Sequence, residues 1–179
     1  GMLLARGVSI LAGLPVETAA KVVNRFCGSS MDALHQLDYA ITAGDARAGL
    51  AGGVEDMFSI PMGGFNPSFH PELYKKQYYI GMGDTAEILA REANISRREQ
   101  EEFAIRSHQR ALAAWKEGRF DQEVIPVSVE DRTISRDEGP REPDPEKIRS
   151  LEPAFAARGT VTAAASSPYS IGAAAIMMT

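Results

Sequence analysis

The sequence predicts an α/β fold. Three observations carry that expectation. A β-prone run, a helical run and a second β-prone run follow one another between residues 21 and 54. A long helical pattern with its own start and stop signals occupies 96–118. Between them, residues 57–79 are loaded with Gly, Pro, Phe and Tyr and show no clean period. Strand, helix and strand at that spacing predict a right-handed crossover and a parallel sheet.

Taken in order, Leu3, Leu4, Val8, Ile10 and Leu11, with Gly13 and Pro15 beyond, predict a short helix over 2–14. Residues 16–20 are a loop, and Lys21 to Phe26 is the strand that leads to Cys27. Met31, Leu34, Leu37, Ala40 and Ile41 then recur at i+3 and i+4, with Gly44 as the stop. Residues 46–54 are small and apolar and predict a buried strand ending at Glu55 and Asp56. After the irregular 57–79 stretch, residues 83–93 are a helix. Ser96 and Glu99 then form a capping box that opens the longest helix, which runs to Glu117 and stops at Gly118. Phe103, Leu112 and Trp115 share its apolar face. Residues 124–129 predict a strand, the charged and Pro-rich 131–145 an exposed loop, 145–150 a short helix and 151–155 a packed turn. Residues 159–165 are small and β-branched, and the apolar 172–178 run is either a strand or a helix start.

The length, 179 residues, suits one domain with a real core. Hydrophobic content of 44% and charged content of 24% are those of an ordinary globular protein. A formal charge of −5 argues against a nucleic-acid partner, because no basic stripe is available for phosphates. A single cysteine excludes an internal disulfide framework and fits the reducing cytoplasm. No apolar run is long enough to span a bilayer and no signal pattern opens the chain, so no membrane association is expected. Gly1-Met2 reads as a residue left by tag removal followed by a start methionine.

Cys27 is the candidate nucleophile. It stands where the 21–26 run gives way to a helix, and free N–H groups and the positive dipole end at a helix N-terminus favour thiolate over thiol. A thiolate is the form that attacks carbonyl carbon. The alternative is a small buried apolar residue, the commonest role of a lone cysteine. A cysteine hydrolase would need an aligned histidine, and His35 lies two turns along the same helix.

The segment Asn24-Arg25-Phe26-Cys27-Gly28-Ser29-Ser30 resembles the active-cysteine segment of thiolases, V-N-R-x-C-[SG]-S-[GS]. Further matches follow in the same order. Residues 51–57 resemble A-G-G-x-E-x-M, 82–87 resemble M-G-x-T-A-E, and 95–104 resemble I-S-R-x-x-Q-D-x-F-A. Residues 118–127 and 159–163 resemble the following strand and the return from the loop domain. The resemblance implies a thiolase-like fold: a mixed sheet flanked by helices with an inserted α+β loop domain that binds coenzyme A. Residues 1–56 would be part of the N-terminal domain, 57–165 the loop domain, and 166–179 the return to the first. It implies that Cys27 attacks an acyl-CoA and holds the acyl group as a thioester. Claisen condensation onto a second acyl-CoA follows, or thiolytic cleavage of a 3-ketoacyl-CoA in reverse. Met82 would lie near the pantetheine channel and Ser167 would contact the pantetheine arm. Coenzyme A thioesters are then substrates, no metal or other cofactor is called for, and the family's subunits form homo-oligomers.

Two departures stand beside the resemblance. The histidine that activates the cysteine, and a second cysteine acting as acid/base, belong to the family's second half, beyond the stretch matched here. His35, His70 and His108 fall at no family base position and read as surface or packing residues. Ile88, Ala165 and Ile171 stand where the family has polar residues, which predicts apolar, buried surroundings for all three. This leaves a second reading, a truncated or redesigned thiolase fragment without turnover that serves as a folding module or a coenzyme A-binding scaffold.

Overall fold

The computed structural model describes residues 3–179; Gly1 and Met2, the pair read as a tag remnant and start, lie outside the described residues. Along the chain come α1 (Leu4–Leu11), α2 (Ser29–Thr42), β1 (Gly49–Asp56), α3 (Pro71–Lys75), α4 (Met82–Glu92), α5 (Arg97–Lys116), β2 (Val127–Val129), β3 (Arg132–Ile134), α6 (Pro145–Arg149), a 3₁₀ turn (Ala163–Ala165) and β4 (Ile171–Met178). They divide into two compact units, Gly1–Phe65 with Tyr169–Thr179, and Asn66–Pro168.

In the first unit, β1 and β4 form an antiparallel ribbon in which Gly49 faces Met178 and Asp56 faces Ile171. The expected parallel sheet is therefore corrected: among the described residues both sheets are two-stranded and antiparallel. The cause lies at Lys21–Phe26, which forms no strand. The backbone groups of Arg25 and Phe26 are bonded to the nearby side chains of Ser29 and Asn24, which takes them away from any ladder. The apolar 172–178 run is settled as strand by its register with β1. Helix α2 packs on β1, and the small residues of the strand are what allow it. A methyl at Gly53 would overlap the Ser30 hydroxyl, and one at Gly49 would press on the Leu37 methyls. Burial is sparse: of β1, Ala51 is buried, while Leu50 and Val54 on the same strand are exposed, so the predicted fully buried strand is not found. Most of β4 is exposed, as is expected of a two-stranded ribbon with one helix packed on it.

The second unit holds most of the buried side chains: Ala90 on α4, Glu101 and Ala104 on α5, Ile148 on α6, then Val161 and Thr162. Helix α5 packs against α6 and the 3₁₀ turn. Its capping box is formed as the sequence predicts. The Ser96 hydroxyl accepts the Glu99 N–H at 3.2 Å, and the Glu99 carboxylate accepts the Ser96 N–H at 2.7 Å. At the other end Gly118 takes φ +70°, the left-handed conformation that ends helices. Arg97 reaches from the first turn to the carbonyls of Arg149 and Leu151 and pairs with Glu101 at 2.7 Å, tying α5 to the end of α6. Trp115 packs at a tilt against Phe120 and lies under the Arg136 guanidinium, whereas Phe103, on the face expected to be apolar, is exposed. The predicted 124–129 strand shortens to β2, which pairs with β3 inside the stretch expected to be loop.

Candidate functional site

Cys27 is exposed and stands immediately before Gly28, the N-cap of α2. The turn that carries it is held by side chains. Phe26 takes φ +47°, a left-handed conformation that bulky L residues rarely enter. Its N–H donates to Asn24 Oδ1 at 3.1 Å, and its carbonyl accepts both the Ser29 hydroxyl at 2.7 Å and the Ser29 N–H at 3.0 Å. The same Ser29 oxygen accepts the Arg25 N–H at 2.7 Å. Arg25 lies 3.5 Å from Asp32; its side chain is largely exposed while that of Asp32 is half-buried, and at this distance and exposure the pair contributes little. Asp32 in the first turn of α2 complements the positive helix end. The bracing by Asn24 and Ser29 was missed from the sequence. Its signal was their side-chain type, since Asn and Ser bond readily to backbone a few residues away.

Met82 is the first residue of α4 and is exposed; Ser167, also exposed, follows the 3₁₀ turn. Both belong to the second unit. What ties their segments is Glu87, five residues into α4, which the sequence reading did not single out. Its carboxylate accepts the Thr160 N–H at 3.0 Å, the Val161 N–H at 2.8 Å and the Thr160 hydroxyl at 3.3 Å. Gln100 on α5 donates to the same hydroxyl at 3.0 Å. Desolvation pushes the Glu87 carboxyl up, but the two backbone N–H groups, the Thr160 hydroxyl and the Arg91 charge together hold it below the ordinary glutamate value. Gly159 lies so close that a methyl there would overlap the carboxylate, which explains a glycine at this place.

The three histidines are occupied elsewhere. His70 Nδ1 accepts the Glu72 N–H at 3.2 Å and caps α3, His108 Nδ1 accepts the Arg141 N–H at 3.4 Å, and His35 packs beside Tyr39. Among the described residues no group of His, Cys, Asp and Glu could hold a metal ion, and no helix is long and apolar enough to cross a membrane. Of the three apolar departures, Ile88 and Ala165 are half-buried. Ile171 is 66% exposed, which corrects the expectation of burial: it begins β4 at the end of a two-stranded ribbon, paired with Asp56.

Comparison with known proteins gives one consistent result. The family model described as "Thiolase, N-terminal domain" matches residues 1–179. The chain belongs to the thiolase family. A 3-ketoacyl-CoA thiolase of Photobacterium profundum is 46% identical over 99% of this chain and 48% of its own length. One from Aliivibrio fischeri is 44% identical over the same shares. Among solved structures, the dimeric peroxisomal thiolase of Saccharomyces cerevisiae superposes with a TM-score of 0.86 at 36% identity, covering 96% of this chain and 46% of that one. A thiolase of Ascaris suum in complex with coenzyme A gives a TM-score of 0.84 at 34% identity, covering 99% and 50%. The fold class is thus α/β and thiolase-like. This thiolase-family chain spans about half the length of the curated relatives it matches.

Proposed function

We propose that this thiolase-family chain bears the nucleophile of an acyl-CoA acyltransferase, with Cys27 as the acylated residue. The observation that carries the reading is the position of Cys27 at the entry of α2 within Asn24-Arg25-Phe26-Cys27-Gly28-Ser29-Ser30, in a chain matched from end to end by the thiolase N-terminal domain. In the first step the Cys27 thiolate attacks the thioester carbonyl carbon. The tetrahedral intermediate collapses, the bond from carbon to the coenzyme A sulfur breaks, and that sulfur leaves as a thiolate that takes up a proton. The enzyme then holds an S-acyl cysteine. Condensation with the α-carbon of a second acyl-CoA completes the cycle, and coenzyme A attack on a 3-ketoacyl-CoA runs it in reverse. The carbon–carbon step calls for a base and a proton shuttle, which the resemblance assigns to the family's second half.

The unit Asn66–Pro168 is read as the loop domain that binds coenzyme A, with Met82 and Ser167 on the pantetheine arm. The exposure of both side chains and the tying of their segments by Glu87 support that assignment. Acyl-CoA is the partner, the full-length family forms homo-oligomers as the dimeric yeast relative does, and the cytoplasm is the compartment.

A second reading is a silent coenzyme A-binding module. Intact mass after incubation with acetyl-CoA separates the two. The acyltransferase reading expects one acetyl group on the wild-type chain and none on Cys27→Ala. No adduct on the wild type, or an adduct that survives in Cys27→Ala, overturns it.

A further inference from the structure

We propose that Ser29 is the positioning residue of the Cys27 nucleophile: one hydroxyl closes hydrogen bonds on both sides of Phe26 and so determines where the cysteine sulfur stands. The inference rests on the reading of Cys27 as the acylated residue.

Phe26 immediately precedes Cys27 and is in the left-handed region at φ +47°. A bulky L residue persists there when its surroundings hold it. Packing does not do so, since the side chain is 82% exposed. What remains are polar restraints, and Ser29 supplies the largest share. Its oxygen accepts the Arg25 N–H and its proton goes to the Phe26 carbonyl, both at 2.7 Å. The hydroxyl thereby joins the residue before Phe26 to the peptide that enters Cys27. Asn24 secures the remaining Phe26 group, the N–H, at 3.1 Å.

The direction of these bonds is informative. A serine at the N-cap turns its oxygen forward, to the free N–H groups of the first turn; Ser29 stands one residue past that position. Here the N-cap is Gly28, α2 has no side-chain cap, and Ser29 bonds backward into the turn. Its hydroxyl serves the turn that carries the cysteine. Rotation of the Phe26–Cys27 peptide would move both the sulfur and its N–H relative to the first turn of α2. A displacement of about 1 Å at a reacting atom can cost about a hundredfold in rate.

The test uses the full chain and two readouts. The first is the rate of Cys27 acylation as a function of acetyl-CoA concentration. Ser29→Ala is expected to lower the maximal rate about tenfold or more while leaving the half-saturating concentration unchanged, and Ser29→Thr, which keeps the hydroxyl, to recover most of the rate. The second is fluorine NMR of a trifluoroacetonyl group placed on the single thiol. One narrow line is expected for the wild type and for Ser29→Thr, and a broadened or split line for Ser29→Ala. Unchanged rates and line in Ser29→Ala overturn the proposal. So does a rate loss that appears as weaker acetyl-CoA binding or that threonine fails to restore. If the wild type takes up no acetyl group, the functional reading fails, and the fluorine line alone decides the positioning role: a narrow line in Ser29→Ala overturns it.

Discussion

Replacing Glu87 by Gln tests how the second unit is held together. The carboxylate accepts two backbone N–H groups, from Thr160 at 3.0 Å and Val161 at 2.8 Å, and the Thr160 hydroxyl at 3.3 Å. A hydrogen bond to an ionised group is worth about 1.5–3 kcal/mol net. Gln can keep its carbonyl oxygen at the Oε1 position, which accepts both N–H groups, but it removes the charge that strengthens them and turns an amide NH2 toward the Thr160 N–H and hydroxyl. Partial exposure of the side chain weakens the effect through solvent screening. The expected loss at neutral pH is about 2 kcal/mol. With a urea dependence of about 2 kcal/mol/M, the midpoint falls by about 1 M. Trp115, the one tryptophan, lies on α5 in the same unit and reports the transition by fluorescence.

The pH dependence gives the sharper check. The folded-state value of Glu87 lies below the ordinary 4.5, so its stabilisation is fully present above that value and is lost as pH falls through the folded one. The gap between wild type and Glu87→Gln should be widest near neutrality and close under acid. Gly159→Ala should act on the same contact, because its methyl would displace the carboxylate, and the two changes together should cost less than their sum. Equal midpoints at neutral pH, or a gap that persists undiminished in acid, would refute this account of the clamp.

Three further outcomes are expected. Ser96→Ala removes half of the capping box on α5 and should cost about 1 kcal/mol, read from the same urea transition. Ile171→Asp, at a position 66% exposed, should shift stability by less than about 1 kcal/mol, whereas a buried carboxylate would cost far more; thermal melting of the pair decides. Phe26→Gly should leave stability unchanged or raise it by up to about 1 kcal/mol, because relief of the left-handed strain of about 1–2 kcal/mol outweighs the added backbone entropy. A clear loss there would reveal contacts of the ring that its exposure does not suggest.

How legible the protein was in its sequence depended on the range of the interactions. The longer helices were readable because their causes are local, whereas the short α3 lies inside the 57–79 stretch expected to be irregular. Apolar periodicity placed α1 and α2, Gly44 and Gly118 ended their helices, and Ser96 with Glu99 marked the start of α5. The position of Cys27 at a helix entry was readable for the same reason, and the motif order around it was sufficient to identify the family. The run Lys21 to Phe26 misled because β-prone composition is a weak claim on a backbone whose polar groups Asn24 and Ser29 take first.

The sequence by itself therefore determined the helices other than α3, the family and the cysteine at the start of α2. Tertiary structure alone decided the antiparallel register of β1 with β4, the exposure of Ile171 and the bonding of Glu87 to Thr160 and Val161. Each of these depends on which distant segment arrives at a given backbone. A pleated strand accepts many partners at similar cost, and a carboxylate accepts any N–H that reaches it. Their choice is settled by the closing of the whole chain, which no local pattern records.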